Sequence, residues 1–240
     1  MTWNTREDCL RVIRAKGTCM ESPARFIDHT LLKADATSAQ IQQLCRDALH
    51  WGFASVCIPP RFVPLAAASL QGTEVAVGTV VGFPLGYDVT ATKCAATAQA
   101  IAAGASEIDM VMPLGAAVEG RLDVVREDVC RVLESTCGHT LKVIIECCYL
   151  DNALKVQLVE LLADVGVAYV KTSTGFAKTG ATPEDIRLLH QAAQGRIKVK
   201  AAGGIRDWES CRGMLEAGAH RVGTSNGVQI MHQWQGEQER

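Results

Sequence analysis

Residues 141–147 read Leu-Lys-Val-Ile-Ile-Glu-Cys, residues 168–172 Ala-Tyr-Val-Lys-Thr, and residues 197–201 Ile-Lys-Val-Lys-Ala. All three are short, largely β-branched or apolar runs, as expected of strands in a parallel sheet covered on both faces. All three also hold lysines, which such strands lack unless something requires them. Similar runs occur at residues 25–29, 54–58, 75–82, 106–112 and 221–224, making eight in all. Their centres recur about every 28 residues, the length of one strand, one helix and two short loops.

The intervening segments carry helix signals. Ser38 is placed to cap a helix over 39–49, and Thr182-Pro183 followed by Glu184-Asp185 reads as an N-cap, an N1 proline and an acidic first turn. Asp207 is placed to cap 208–216, and Gly52, Gly104, Gly166 and Gly218 each follow an apolar helical run where a left-handed residue closes a helix. No linker interrupts the series. Eight βα units in one domain predict an α/β fold, a closed (β/α)8 TIM barrel over residues 24–235 more readily than an open sheet, preceded by a charged helical extension at 1–23.

Composition narrows the function. Lys+Arg number 24 against 26 Asp+Glu, a net charge of −2, so nothing marks a nucleic-acid binder living on phosphate contacts. No apolar run approaches the ~18 residues of a membrane span. The first 22 residues are charged and lack the apolar core of a secretion signal, so the expected location is cytoplasmic. The ten cysteines include no C-x-x-C pair, and adjacent Cys147 and Cys148 should point to opposite faces of a strand. No metal-ligand spacing is present, and neither a metal nor an organic cofactor is expected.

The anomalous strand charges are Lys142, Lys171, Lys198 and Lys200 with Asp28, Asp109 and Glu146. Period-two alternation puts Lys142 with Glu146 on one face and Lys198 with Lys200 on one face, while Val143, Ile145 and Val199 turn to the helices. Asp28, Asp109, Lys171 and Lys200 lie toward the C-terminal ends of their runs, which in a barrel form the rim where active sites sit. A lysine in a low-dielectric cavity beside a second ammonium is available as a neutral amine. Such an amine condenses with a carbonyl, and a nearby carboxylate can move the proton at the adjacent carbon. That is class I aldolase or dehydratase chemistry. The same residues also admit an inward salt-bridge network, a non-covalent isomerase with Asp109 as base, or a barrel that binds without turnover.

A second constellation follows the last two runs: Ala-Ala-Gly-Gly-Ile at 201–205 and Val-Gly-Thr-Ser-Asn-Gly at 222–227. In (β/α)8 barrels these two loops commonly hold a phosphate on backbone N–H groups, so the expected ligand is a phosphorylated carbonyl compound.

With these segments in view, the chain resembles the deoxyribose-phosphate aldolase family from about residue 25 to 230. The resemblance is carried by Ile-Asp-His-Thr at 27–30, Ala-Ser-Val-Cys at 54–57, Val-Gly-Phe-Pro-Leu-Gly at 81–86 and Glu-Ile-Asp-Met-Val at 107–111. It continues through Lys-Val-Ile-Ile-Glu at 142–146, Val-Lys-Thr-Ser-Thr-Gly-Phe at 170–176, Lys-Ala-Ala-Gly-Gly-Ile-Arg at 200–206 and Gly-Thr-Ser at 223–225. It implies a homodimeric, cofactor-free enzyme that reversibly cleaves 2-deoxy-D-ribose 5-phosphate to D-glyceraldehyde 3-phosphate and acetaldehyde. By the same match Lys171 is the Schiff-base nucleophile, Lys200 the second lysine that lowers the pKa of Lys171 and shares in proton transfer, and Asp109 the proton donor and acceptor working with it through water. Asp28, Thr30, Cys57 and Lys142 would line the substrate pocket, and Thr174, Gly175, Gly203, Gly204, Gly223 and Ser225 would hold the phosphate. Departures from the family pattern fall at Pro59, Ala91, Pro113 and Cys147, and the C-terminal Gly-Glu-Gln-Glu-Arg has no tyrosine. Another Schiff-base barrel lyase, or an isomerase, acting on a different phosphorylated sugar is the alternative that the two lysines and the phosphate loops leave open.

Overall fold

The computed structural model describes residues 22–239, so nearly all of the expected 1–23 extension lies outside the described residues. Eight parallel strands close on one another in chain order: β1 (Ile27–Thr30), β2 (Ser55–Ile58), β3 (Ala76–Val81), β4 (Glu107–Val111), β5 (Thr140–Ile144), β6 (Tyr169–Lys171), β7 (Lys198–Ala202) and β8 (Arg221–Thr224). The ring is sealed by β1 against β8, with Asp28 opposite Gly223. Around it run α1 (Ser38–Trp51), α2 (Val63–Ser69), α3 (Thr90–Ala102), α4 (Leu114–Val118), α5 (Leu122–Ser135), α6 (Asn152–Val165), α7 (Pro183–Ala193), α8 (Trp208–Ala217) and α9 (Gly227–Gln238).

Alternation along each strand separates two interiors. Ile27, Val56, Ile108, Val143, Val170, Val199 and Val222 are fully buried against the helices and belong to one continuous apolar core. Each such side chain contributes about 1.5–3 kcal/mol by leaving water. Their strand neighbours Asp28, Cys57, Asp109, Lys142, Lys171, Lys200 and Gly223 take the other face and fill the barrel axis.

The local signals mostly hold. Thr182 accepts from the Asp185 N–H and Asp207 from the Ser210 N–H. Gly52, Gly166 and Gly218 close their helices in the left-handed region, and Gly104 has φ +107 one residue past the C-cap of α3. Three expectations are corrected. The cap of α1 is Thr37, not Ser38: its hydroxyl accepts from the Gln40 N–H while the Gln40 side chain accepts from the Thr37 N–H, a reciprocal box that Ser38 has no partner to form. The strand expected over 141–147 ends at Ile144, and Cys147–Tyr149 is a short 3-10 turn, so Cys147 and Cys148 do not alternate across a strand. Lys198 shares the parity of Lys200 but is exposed at the opposite end of the barrel, its ammonium over the Tyr169 ring at 5.6 Å.

Candidate active site

Five strands deliver a layer of charge to the barrel axis. Asp109 on β4 is its hub: Oδ2 accepts from Lys171 at 2.7 Å and from Lys200 at 2.7 Å, and Oδ1 accepts from Lys142 at 2.9 Å. Asp28 on β1 pairs with Lys200 at 2.5 Å, and Lys142 stands 3.9 Å from it. All five of these side chains are buried. The sequence expectation put Asp28, Asp109, Lys171 and Lys200 at the rim. Only Lys171 ends its strand there, whereas Asp28, Asp109 and Lys200 sit within theirs.

Two further charges, unassigned from the sequence, complete the layer from beneath. Arg221, the first residue of β8, donates Nε to Asp28 at 2.6 Å and Nη2 to both Glu107 oxygens at 2.7 and 2.9 Å. Glu107, the first residue of β4, accepts from Lys142 at 2.6 Å. Both open their strands, where a charge ordinarily meets water, so the rule that flags charges inside strands passes them over.

The electrostatics follow from these contacts. Burial pushes the Asp109 carboxyl up, but Lys142, Lys171 and Lys200 outweigh it and hold it well below the usual carboxylate range. Asp28 is held low in the same way, burial being overcome by Arg221, Lys200 and Lys142. For Lys200, burial acts downward and loses to Asp109 and Asp28, so its ammonium lies above the ordinary lysine range. Lys142 is raised likewise, chiefly by Asp109 against burial. The second lysine is therefore a fixed cation, not a group poised to deprotonate. Cys57, raised by burial and by Asp109, is held as a thiol.

Four cations (Lys142, Lys171, Lys200, Arg221) meet three carboxylates (Asp28, Glu107, Asp109), a balance of 4 − 3 = +1. Among the described residues Lys142, Lys200 and Arg221 each reach two or more carboxylates, while Lys171 reaches Asp109 alone. Lys171 is also the one member of this layer that lines the open cavity of about 280 Å³ at the C-terminal mouth.

That cavity gathers most of the remaining expected residues. Thr30, Thr174, Gly175, Gly203, Gly204, Gly223 and Ser225 line it, whereas Asp28, Cys57, Asp109, Lys142 and Lys200 lie beneath. Gly203 has φ +86 and packs backbone to backbone on Gly180, where a Cβ would come within 2.1 Å of the Gly203 carbonyl oxygen. Gly223 leaves room for the Lys200 stem, which a Cβ would meet at 3.2 Å. The N-terminus of α9 faces the same loop with no side-chain cap, leaving first-turn N–H groups free for an anion. Lys33 and Arg206 join the lining as cations that no strand periodicity could reveal.

Glu146 departs from its expected place beside Lys142. It lies beyond the end of β5 with φ +51, and its carboxylate accepts the Thr174 hydroxyl at 2.5 Å and the Thr174 N–H at 3.2 Å. Burial raises its carboxyl against these bonds. Its work is to brace the loop after β6. His29 and His139 form no nucleophile–base pair: His139 bonds the Thr136 carbonyl and His29 faces Asp47 at 3.9 Å.

Comparison with known proteins agrees with this geometry. Residues 24–233 match the family described as DeoC/LacD family aldolase. The chain is similar to a deoxyribose-phosphate aldolase of Syntrophotalea carbinolica, 74% identical over 90% of this chain and 98% of the other. It is similar to a deoxyribose-phosphate aldolase of a Geobacillus strain at 51% identity, covering 87% of this chain and 94% of that one. Among solved structures, a tetrameric deoxyribose phosphate aldolase from Aeropyrum pernix superposes with a TM-score of 0.83 at 30% identity, over 88% of this chain and 90% of that one.

Proposed function

The chain belongs to the DeoC/LacD aldolase family, and from that premise we propose how its own residues carry the reaction. The protein is a carbon–carbon lyase that reversibly cleaves 2-deoxy-D-ribose 5-phosphate to D-glyceraldehyde 3-phosphate and acetaldehyde, in deoxyribose phosphate catabolism. Lys171 is the nucleophile. The observation that carries this assignment is that Lys171 alone combines access to the cavity with a single carboxylate contact.

The neutral Lys171 amine adds to the C1 carbonyl of the open-chain sugar, and loss of water leaves an iminium. The C3 hydroxyl gives up its proton, the C2–C3 electron pair moves into the iminium, and glyceraldehyde 3-phosphate departs from an enamine. Protonation at C2 and hydrolysis then release acetaldehyde and restore the amine. Asp109, hydrogen-bonded to Lys171 and Lys200, handles these protons through water, and Lys200 supplies the fixed positive charge that favours the neutral amine. Thr30 and Cys57 shape the wall, and Asp28 and Lys142 hold the layer. The phosphate sits against Gly175, Gly203, Gly204 and Ser225 with the free turn of α9, while Thr174 and Gly223 set the loop and the space beside it.

Among the described residues no helix is long and apolar enough to cross a membrane. A cytoplasmic homodimer of two 25.8 kDa chains belongs to the same reading, and light scattering measures it.

Incubation with acetaldehyde, borohydride reduction and peptide mass spectrometry test the assignment. An ethyl adduct on Lys171 is the expected result. An unmodified Lys171 in active enzyme moves the weight to non-covalent chemistry with Asp109 as base.

A further inference from the structure

Glu107 and Arg221 stand at the floor of the barrel, away from the cavity, and neither bonds to Lys171. Yet every carboxylate and cation beneath Lys171 connects to one of them within two contacts. Arg221 grips Asp28 with Nε and spans both Glu107 oxygens with Nη2, and Glu107 in turn takes Lys142. Arg221 is mostly buried, and Asp28 and Glu107 keep its guanidinium charged against the pull of burial. Among the described residues no other ion pair joins the first and fourth strands through the eighth.

We propose that Glu107 and Arg221 are positioning residues whose opposed charges set the pH range over which the Lys171 amine reacts. The proposal rests on Lys171 being the nucleophile. The charged and titratable groups around that amine are Asp109 on β4, Lys142 on β5, Lys200 on β7, Asp28 on β1, Cys57 on β2 and Glu146 after β5, with Lys33 and Arg206 at the mouth. Changing any of the inner group alters hydrogen bonds at the reacting centre. Glu107 and Arg221 act from below, through a low-dielectric interior in which a unit charge is felt well beyond contact distance.

The charge count makes the signs opposite. The layer carries +1 as it stands, +2 with Glu107→Gln and 0 with Arg221→Gln. Added positive charge disfavours the ammonium and removed positive charge favours it. The acid limb of the kcat/KM profile for deoxyribose 5-phosphate therefore moves to lower pH in Glu107→Gln and to higher pH in Arg221→Gln, by about half to one pH unit each. The double variant restores +1, and its limb returns toward that of the unmodified enzyme. Arg221→Lys keeps the charge while losing the two-armed grip, so its limb stays in place although kcat falls.

Acetaldehyde–borohydride trapping runs alongside on every variant. Absence of a Lys171 adduct in the unmodified enzyme defeats the nucleophile assignment itself. With trapping retained, limbs that stay still, or move the same way in both single variants, overturn the charge proposal and leave Glu107 and Arg221 as packing. Should both glutamine variants fail to fold, Glu107→Leu and Arg221→Met carry the same charge changes, and the same opposite displacements are expected, with unmoved or like-signed limbs overturning the proposal.

Discussion

The fifth, sixth and seventh strands each carry two kinds of buried side chain. Val143, Val170 and Val199 face the helices, and Lys142, Lys171 and Lys200 beside them face the axis, all of them buried. The outward set is interchangeable chemistry: any well-fitting apolar residue fills the space, and loss of a methylene costs stability in proportion to the void. The inward set is held by individual bonds, and its members differ in how many they have. Lys142 and Lys200 are locked between carboxylates, while Lys171 hangs from Asp109 alone. Burial by itself says nothing about role. The number of fixed partners separates the structural cation from the reactive one.

The strongest way to break this contrast is Lys171→Ala. Cleavage falls by about three orders of magnitude or more because the covalent route is removed, while the melting temperature holds or rises, since the buried surplus of one positive charge is relieved. A variant that loses stability in step with activity makes Lys171 a structural cation like its neighbours. The opposite test is Leu158→Ala on the helix side, fully buried in α6. Unfolding free energy drops by about 2–5 kcal/mol, and kcat of the folded fraction stays within about twofold of the unmodified enzyme. A large fall in kcat at low temperature, where the variant is folded, means that the two interiors are not independent.

Period-two alternation made much of this readable from the string. The eight runs, their parallel character and the inward lysines follow from where β-branched residues and charges fall, because a doubly covered strand has no bland place for an ammonium. The rule fails where backbone geometry changes. Glu146 has the parity of Lys142, but the strand ends at Ile144 and a left-handed residue turns its carboxylate to Thr174. Glu107 and Arg221 were hidden by their position at strand starts, and Lys33 and Arg206 by lying in loops without periodicity. Ser38 lost the cap to Thr37 because the deciding partner was Gln40, three residues from Thr37.

A smaller effect sharpens the contrast at the mouth, where the lining turns from inward-held charge to backbone N–H. Ser225 is exposed beside the uncapped start of α9. Ser225→Glu places a like charge against the phosphate and raises KM for deoxyribose 5-phosphate by about tenfold to a hundredfold, while turnover of unphosphorylated deoxyribose changes little. Equal loss on both sugars removes Ser225 from the phosphate site.

The smallest expected effect concerns the polar exceptions outside the barrel axis. His29 lies on the helix side of β1 against Phe53, with ring centroids 5.0 Å apart, and burial lowers its pKa to about 4 despite Asp47. His220, where β8 begins, accepts the Val199 N–H and is lowered to about 4 by burial, His190 and Lys198. The axis keeps its groups charged, and these two positions keep theirs neutral. Because the folded values lie below the unfolded value of 6.5, the unfolded chain binds more protons between them. Stability is then full above about pH 6.5 and declines as pH falls toward 4, by up to about 2 kcal/mol per histidine at pH 5. Asp28 and Asp109, held low in the folded protein, lose their contribution only as pH falls through the ordinary carboxylate value of 3.8 and below, so they add little to the decline at pH 5. Chemical denaturation at pH 7 and pH 5 should show the loss, and His29→Gln should remove about half of it. An unchanged pH dependence in that variant would place the titrating group elsewhere and leave the apolar layer without its neutral histidine.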